Sequence, residues 1–176
     1  MEDKDHKTAA HWYAEAAEKG YAKAQNDLGY CYRNGIGVTE DLEKAAYWFQ
    51  KAAEQGNARA QRSLGYLYKH REPEKAAYWF QKAAEQGNAD AQFQLAICYS
   101  EGKKFGGVFK NRRKHLYWTK KAAEQGHEEA QFHLGMCYLP WFGHWLFTNR
   151  KKAVYWFQKA AEQGNEDAKR HLEELT

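Results

Sequence analysis

The stretch KAAYWFQKAAEQGN occurs twice without change, at residues 44–57 and 75–88. Three further copies diverge more: KAVYWFQKAAEQGN at 152–165, LYWTKKAAEQGH at 116–127 and AAHWYAEAAEKG at 9–20. The closing glycines of the copies, at positions 20, 56, 87, 126 and 164, are separated by 36, 31, 39 and 38 residues. A period of this length is typical of proteins that repeat one supersecondary unit.

A second pattern follows each closing glycine. It reads AKAQNDLGYCY at 22–32, ARAQRSLGYLY at 58–68, ADAQFQLAICY at 89–99, EEAQFHLGMCY at 128–138 and EDAKRHLEELT at 166–176. Because Ala24, Leu28 and Tyr32 stand at helical spacing and recur in later copies, the pattern predicts a helix, here named helix A. The KAAYWFQKAAEQ pattern predicts helix B, which ends at its glycine.

Flanking residues support these boundaries. Asp41, Asn111 and Asn149 are predicted N-caps of helix B. Helix A carries a small residue where helix B is expected to pack, at Gly29, Gly65, Ala96 and Gly135. The last copy has Glu173 there, so we expect 166–175 to be a polar C-terminal cap helix. At the other end we expect an N-terminal helix B at about 6–18.

The motifs NGIGVTEDLEKA (34–45), KAAYWFQKAAEQG (44–56) and GNARAQRSLGYLY (56–68) resemble the Sel-one-like repeat family, relatives of the tetratricopeptide repeats. The resemblance covers nearly the whole chain. It implies an all-α fold of about ten helices, in which antiparallel helix pairs stack into a right-handed α/α superhelix, or solenoid, with the A helices on the concave side. It also implies a protein- or peptide-binding adaptor without catalytic residues.

The repeats predict the domain organisation. We expect one repeat domain over 1–176, with an N-terminal half repeat at 6–20, repeats at 21–56, 57–87, 88–126 and 127–164, and a cap at 165–176. The near-identical frameworks around divergent loops also fit an engineered binder built on a repeat scaffold. Recent gene duplication would give the same appearance, so both origins stay open.

Composition and cysteine usage narrow the class of protein. Hydrophobic residues make up 43% and charged residues 28%, as in a folded globular chain. No apolar run approaches the roughly 18 residues of a bilayer span, and MEDKDHKTAA lacks the apolar region of a signal peptide. Cys31, Cys98 and Cys137 occupy the position held elsewhere by Leu67 and Leu175. We therefore predict buried, unbridged thiols and a cytoplasmic location.

The sequence offers no motif for catalysis or for a cofactor. No nucleophile elbow, phosphate-binding glycine loop or HExxH pair occurs. His133 and His171 share a position on neighbouring A helices, near His144, but no carboxylate or cysteine stands at ligand spacing. We therefore predict that the protein is not an enzyme and has no metal and no cofactor.

Length variation is confined to the A-to-B loops, counted from the helix A tyrosine to the helix B cap. They are 33–40 (8 residues), 69–71 (3), 100–110 (11) and 139–148 (10). Insertions in repeat arrays collect on one face, often the binding face. The fourth loop reads LPWFGHWLFT, and Trp141 and Trp145 are the only two of seven tryptophans outside the repeated position.

Three interpretations of the aromatic loop 139–148 stay open. It is an exposed anchor for a partner, a hydrophobic plug against neighbouring helices or a segment that inserts into a membrane. We favour the anchor, which could also join two copies into a homodimer or self-associating scaffold. Its residues, with two from the third loop, are Leu139, Trp141, Phe142, His144, Trp145, Phe147, Phe105 and Phe109.

The variable positions of helix A predict a groove. By analogy with tetratricopeptide grooves, its candidate contact residues are Arg59, Arg62 and Tyr66 in a basic part and Phe93, Phe132 and Met136 in an apolar part. An extended peptide with acidic and aromatic residues would suit such a groove. The alternative, that Ile97, Met136 and the phenylalanines pack between adjacent A helices, stays open.

KNRRKH, at 110–115, is a dense basic run at a predicted helix N-terminus, where acids are preferred. With Lys103, Lys104, Phe105 and Phe109 nearby, the basic loop 103–115 is an alternative site for nucleic acid or for an acidic protein surface. The net charge of +4 is too small to indicate nucleic acid by itself, so we expect a protein partner.

Overall fold

The computed structural model describes residues 2–102, 110–139 and 149–175, with side chains from residue 5 onward. This part of the chain contains ten α-helices and no β-strand. They are α1 (Glu2–Glu18), α2 (Ala22–Asn34), α3 (Leu42–Glu54), α4 (Ala58–Tyr68), α5 (Pro73–Glu85), α6 (Ala89–Glu101), α7 (Arg112–Glu124), α8 (Glu128–Cys137), α9 (Arg150–Glu162) and α10 (Glu166–Leu175). Even-numbered helices are the A helices and odd-numbered helices are the B helices.

The helix boundaries follow the predicted signals closely. Asp41, Asn111 and Asn149 each accept a hydrogen bond from the backbone N–H three residues later, at 2.9–3.0 Å. The five closing glycines have φ between +86° and +105°, which suits a residue without a side chain. One start differs: α1 begins at Glu2 rather than at about residue 6. Its first residues are rich in Asp and Glu, which favour a helix N-terminus.

Helices A and B of one repeat meet through a glycine and a phenylalanine. Phe80 is fully buried, and a Cβ placed on Gly65 would lie 2.5 Å from its ring. The glycine therefore lets the two helices approach closely, as the sequence predicted. The same pair recurs as Gly29–Phe49 and Gly135–Phe157, where the added Cβ would lie 2.7 Å from the ring.

The third repeat changes both members of this pair. Ala96 stands in the glycine position and Thr119 in the phenylalanine position. Thr119 is fully buried, and its hydroxyl donates a hydrogen bond to the backbone carbonyl of His115 at 2.8 Å. A larger residue in the glycine position is therefore matched by a smaller residue in the phenylalanine position, and the two changes compensate in volume.

A glutamine network links A helices to neighbouring B helices. In α4, the buried Gln61 donates to the carbonyl of Ala53 at 3.1 Å and accepts from the Gln86 amide at 2.7 Å. These bonds satisfy polar groups that would otherwise be buried without partners. The corresponding pairs are Gln25–Gln55, Gln92–Gln125 and Gln131–Gln163, at 2.8 Å each.

The chain divides into two compact units. Unit 1, Met1–Gln86, holds α1–α5, with Phe49 and Leu64 fully buried. Unit 2, Gly87–Thr176, holds α6–α10, with Leu134 and Phe157 fully buried. In the described ranges no helix has the length and apolar character to cross a bilayer. A single repeat domain over 1–176 stays a prediction.

Candidate partner-binding site

All four A-to-B loops close on the same backbone hydrogen bond. The N–H of the residue that caps helix B donates to the carbonyl of the helix A tyrosine. The bonds run from Asp41 to Tyr32 (2.9 Å), from Glu72 to Tyr68 (2.8 Å), from Asn111 to Tyr99 (2.9 Å) and from Asn149 to Tyr138 (3.1 Å). Loops of 8, 3, 11 and 10 residues therefore connect helix ends that are joined by the same hydrogen bond. The helical framework does not set their length.

A second contact reinforces each closure. A lysine in the first turn of helix B lies over the ring of the same tyrosine, 5.0–5.4 Å from its centroid. The pairs are Lys44–Tyr32, Lys75–Tyr68, Lys114–Tyr99 and Lys152–Tyr138. Cation–π contacts of this kind stabilise by about 0.5–1 kcal/mol at exposed sites.

Most of the predicted loop anchors lie outside the described residues. They are Trp141, Phe142, His144, Trp145, Phe147, Phe105 and Phe109. Leu139 is described, and it is 8% exposed and packs with Ala153 and Phe157. Its N–H donates to the Met136 carbonyl at 3.0 Å, which holds it against the end of α8. Its side chain therefore belongs to the core of unit 2 rather than to an exposed anchor.

Of the predicted apolar groove residues, one is core and two are partly accessible. Phe93 is 3% exposed and clusters with Leu134, so it is not a surface for a partner. Phe132 and Met136 are half-buried and pack against the cluster around Phe157. They combine core packing with partial exposure, so both of the open interpretations apply to them.

The predicted basic groove residues all lie on α4, in unit 1. Arg59 is exposed, whereas Arg62 and Tyr66 are half-buried. The ring of Tyr66 meets Phe80 edge-on, with centroids 5.3 Å apart. Tyr66 therefore contributes to the packing of the α4–α5 pair as well as to the surface.

A cavity of about 320 Å³ opens in unit 2 where α6, α7 and α8 meet. Its basic lining residues are Lys110, Arg112, His115 and His133, and the others are Tyr99, Ser100, Phe132, Met136 and Cys137. The cavity brings together two features that lie apart in the sequence. Part of the predicted apolar groove faces part of the predicted basic loop 103–115. Both long A-to-B loops begin or end beside it.

His115 and Cys137 lie together at this cavity. The His115 Nδ1 is 3.0 Å from the Ala96 carbonyl, and because a carbonyl can only accept, Nδ1 carries a proton. The Nε2 is 3.8 Å from the Cys137 Sγ. Burial raises the pKa of the Cys137 thiol to about 11, so at neutral pH the thiol stays protonated. This pair is therefore not an activated thiolate nucleophile.

Histidines of unit 2 pack as aromatic rings. His133 meets Phe93 with centroids 5.1 Å apart, and His171 stacks on Phe157 at 5.3 Å. Desolvation lowers the pKa of His133, with smaller contributions from His115 and neighbouring His127, although part of its side chain reaches solvent. Among the described residues no group of three or more His, Cys, Asp or Glu could hold a metal ion.

Sequence reasoning missed Cys137 as a site residue, and it placed His115 only at the end of the alternative basic loop 103–115. They are separated by 22 residues and come from different helices, so no spacing rule links them. The available signal was that the basic run KNRRKH ends in His115. The predicted burial of the cysteines holds for Cys31 and Cys98, at 4% and 0% exposed, whereas Cys137 is only half-buried.

The model of the Sel1 repeat matches five consecutive segments of the chain, residues 2–21, 22–57, 58–88, 89–127 and 128–165. The chain belongs to the Sel1 repeat family. This finding confirms the family predicted from the sequence and its all-α solenoid class. None of the curated proteins matches the chain significantly.

Solved Sel1 repeat structures share the fold. A protective antigen of uropathogenic Escherichia coli strains, displaying an SLR fold, is 40% identical, with a TM-score of 0.84 over 95% of this chain and 36% of the antigen. A Sel1 repeat protein from Oxalobacter formigenes is 35% identical, with a TM-score of 0.83 over 94% of this chain and 67% of that protein. An immunity protein from Pseudomonas aeruginosa is 28% identical, with a TM-score of 0.60 over 90% and 58%. This chain spans about a third of the antigen's length.

Sel1 repeat proteins often mediate protein–protein interactions, and they are generally non-catalytic scaffolds. The framework contacts of this chain agree with such a role. The glycine–phenylalanine pairs and the glutamine network are made by residues that recur from repeat to repeat. The long A-to-B loops do not recur, so they are where the repeats of this chain differ from one another.

Proposed function

We propose that the chain is a non-enzymatic module that binds a protein or peptide through the A-helix groove and the A-to-B loops. The aromatic loop 139–148 is the main anchor in this proposal, through Trp141, Phe142, Trp145 and Phe147. The partner is one protein or peptide segment, held by equilibrium binding. A cytoplasmic location goes with this function as a prediction.

One observation carries the proposal: a cavity in unit 2 lies where both long loops join the framework. Ser100 and Lys110 line it on either side of segment 103–109, and Met136 lines it shortly before segment 140–148. Loops held by a rigid scaffold are common places for binding residues. Trp and Tyr also dominate the residues that supply most interface energy.

The groove positions add a second contact surface. Tyr30 is 47% exposed and lies near Arg33, whose guanidinium carbon is 5.1 Å from the ring centroid. Arg59 is exposed on α4. Exposed aromatic and arginine side chains on helices suit contact with a peptide more than internal packing does.

The test is an affinity capture with two baits, the protein and a loop-exchanged variant. In the variant, NGIGVTE of residues 34–40 replaces residues 140–148. Leu139 is kept because it packs in the core of unit 2. The common closing hydrogen bond makes this exchange compatible with the framework. Circular dichroism and thermal melting of the variant serve as the folding control.

We expect a protein captured by the natural bait to be lost from the loop-exchanged bait. Equal capture by both baits would show that loop 139–148 is not the anchor. A second measurement, sedimentation of both proteins alone, tests the homodimer alternative. A dimer that dissociates on loop exchange, with no captured partner, would replace the adaptor proposal by self-association.

A further inference from the structure

The lining of the cavity in unit 2 contains basic residues and no acidic one. Lys110, Arg112, His115 and His133 line it, and no Asp or Glu does. Neither 103–109 nor 140–148 contains an acidic residue. Within residues 2–102, 110–139 and 149–175, the ion pairs do not include Lys110 or Arg112. An anion entering the cavity would therefore be attracted by Lys110 and Arg112, and no carboxylate of the lining would oppose it.

The basic residues next to the cavity are not explained by helix stability. The first turns of α3 and α5 contain Glu43 and Glu74, which favour a helix N-terminus. The first turn of α7 has no acid and begins with Arg112 and Arg113, and the first turn of α9, which begins with Arg150, has none either. Bases at this end oppose the helix dipole, so helix stability does not favour them. Contact with an anionic group would offset that cost.

The rest of the lining is apolar or weakly polar. Phe132 and Met136 are half-buried and form an apolar wall, and Tyr99 contributes a ring. A volume of about 320 Å³ is near the lower end of ligand pockets, which run from roughly 300 to 1,000 Å³. The space suits one or two side chains. A fitting group needs a negative end beside an apolar body.

We propose that this cavity binds an acidic side chain of a partner peptide, with an adjoining apolar side chain against Phe132 and Met136. Arg112 is the principal anion contact, because a guanidinium can bind a carboxylate through two parallel hydrogen bonds. Lys110 adds a second charge at the rim. This inference rests on the proposed function and specifies the chemistry of its partner.

A peptide fits the site better than a nucleic acid. A nucleic acid strand carries its charge along its length, so its binding sites pair a basic groove with stacking rings for successive bases. Here four basic side chains line one small cavity that also has an apolar wall. Nucleic acid is therefore an outcome of the test rather than part of the proposal.

The experiment selects phage-displayed random heptapeptides on the full chain and on two charge-reversed variants, Arg112→Glu and Arg113→Glu. Both arginines are exposed in the first turn of α7, so the variants change net charge and helix dipole equally. Only Arg112 lines the cavity. An enriched peptide is then synthesised with a fluorescent label, and its Kd is measured by polarisation. Thermal melts check that both variants are folded.

We expect enriched peptides to carry Asp or Glu beside Phe, Leu or Met. Arg112→Glu should raise the Kd by about tenfold or more, and Arg113→Glu by less than about threefold. Replacing the peptide's acids with Asn and Gln should have the same effect as Arg112→Glu. Selection without acidic peptides would overturn the proposal. Equal losses in both variants would also overturn it, because they would indicate long-range attraction rather than the cavity.

Two further arms separate the possible failures. A labelled single-stranded oligonucleotide that binds in an Arg112-dependent way, when no acidic peptide does, would reassign the cavity to nucleic acid. A protein captured through loop 139–148 that still binds the Arg112→Glu variant would leave the proposed function standing. That result would overturn only the cavity assignment.

Discussion

Gly65 occupies a position where a methyl group would lie 2.5 Å from the Phe80 ring. The sequence alone predicted a small residue there because helix B had to approach. It did not predict which side chain faces the glycine, since that side chain comes from another helix. The Ala96 and Thr119 substitutions in the third repeat become interpretable only once the pairing is known.

Gly65→Ala should therefore lower the free energy of unfolding by about 1–2 kcal/mol. Overpacking costs about 1–3 kcal/mol, and alanine's higher helix propensity offsets up to about 1 kcal/mol. The measurement is a urea titration, repeated in a Phe80→Thr background. There the clash is absent, and Gly65→Ala should be neutral or stabilising. An equal loss in both backgrounds would show that the ring contact is not the cause.

Gln61 is 5% exposed and joins α4 to both neighbouring helices. Gln61→Leu should lower the free energy of unfolding by about 1–3 kcal/mol, because the Ala53 carbonyl and the Gln86 amide lose their partner. Gln86→Ala, on an exposed residue, is the matched control and should cost less. Similar losses in the two variants would count against a buried polar network.

The thiol of Cys137 provides a pH-dependent test. Its pKa is raised to about 11 by burial, above the model-compound value of 9.0. A raised pKa means that folding favours the protonated thiol, so this stabilisation is complete below pH 9 and is lost as pH rises to 11. Stability measured in urea between pH 8 and 11 should fall more steeply in the natural protein than in Cys137→Ala. Parallel pH profiles would contradict the raised pKa.

At the scale of the elements, most helix starts could be predicted because capping is local. Asp41 and Asn111 act on the N–H three residues away, so a short window of sequence contains both partners. The cavity could not be predicted in this way. Its wall combines Arg112 and Met136, which are 24 residues apart in the sequence and lie on different helices. Sequence spacing does not show that two such residues come together.

The start of α5 offers a prediction about capping. Its N-cap Glu72 makes no side-chain cap hydrogen bond, unlike Asn111 on α7. Glu72→Asn should raise the free energy of unfolding by about 0.5–1 kcal/mol, and Asn111→Ala should lower it by about 1 kcal/mol. The first change also removes the exposed ion pair of Glu72 with Lys75, whose contribution is small. Chemical denaturation of both variants measures the difference.

At the scale of the whole molecule, repetition made the family and fold class predictable. The family model matches five copies of one pattern. Because a single helix pair cannot bury its apolar face alone, repeated pairs are expected to stack on one another. Repetition was less informative about Leu139, because the equivalent positions in the first two loops are Arg33 and Lys69. Its burial depends on Ala153 and Phe157, which the loop pattern does not contain.

Repeat proteins distribute stability through nearest-neighbour contacts. Gly135→Ala, which brings a Cβ to 2.7 Å from the Phe157 ring, should therefore loosen α8 and α9 first. Hydrogen exchange followed by mass spectrometry should show faster exchange in those helices, with α2 and α3 unchanged. The equivalent Gly29→Ala variant should give the reverse pattern. Uniform acceleration along the chain in either variant would indicate a single cooperative unit.

The hydrogen bond between each helix A tyrosine and the next helix cap affects how well the chain tolerates insertions and deletions. Closing a flexible loop costs conformational entropy that grows only with the logarithm of its length. Between the 3-residue and the 11-residue loop, this cost differs by only about 1 kcal/mol. Insertions and deletions at these four places are therefore close to neutral for folding. Natural selection can remodel the loops without first repairing the helices.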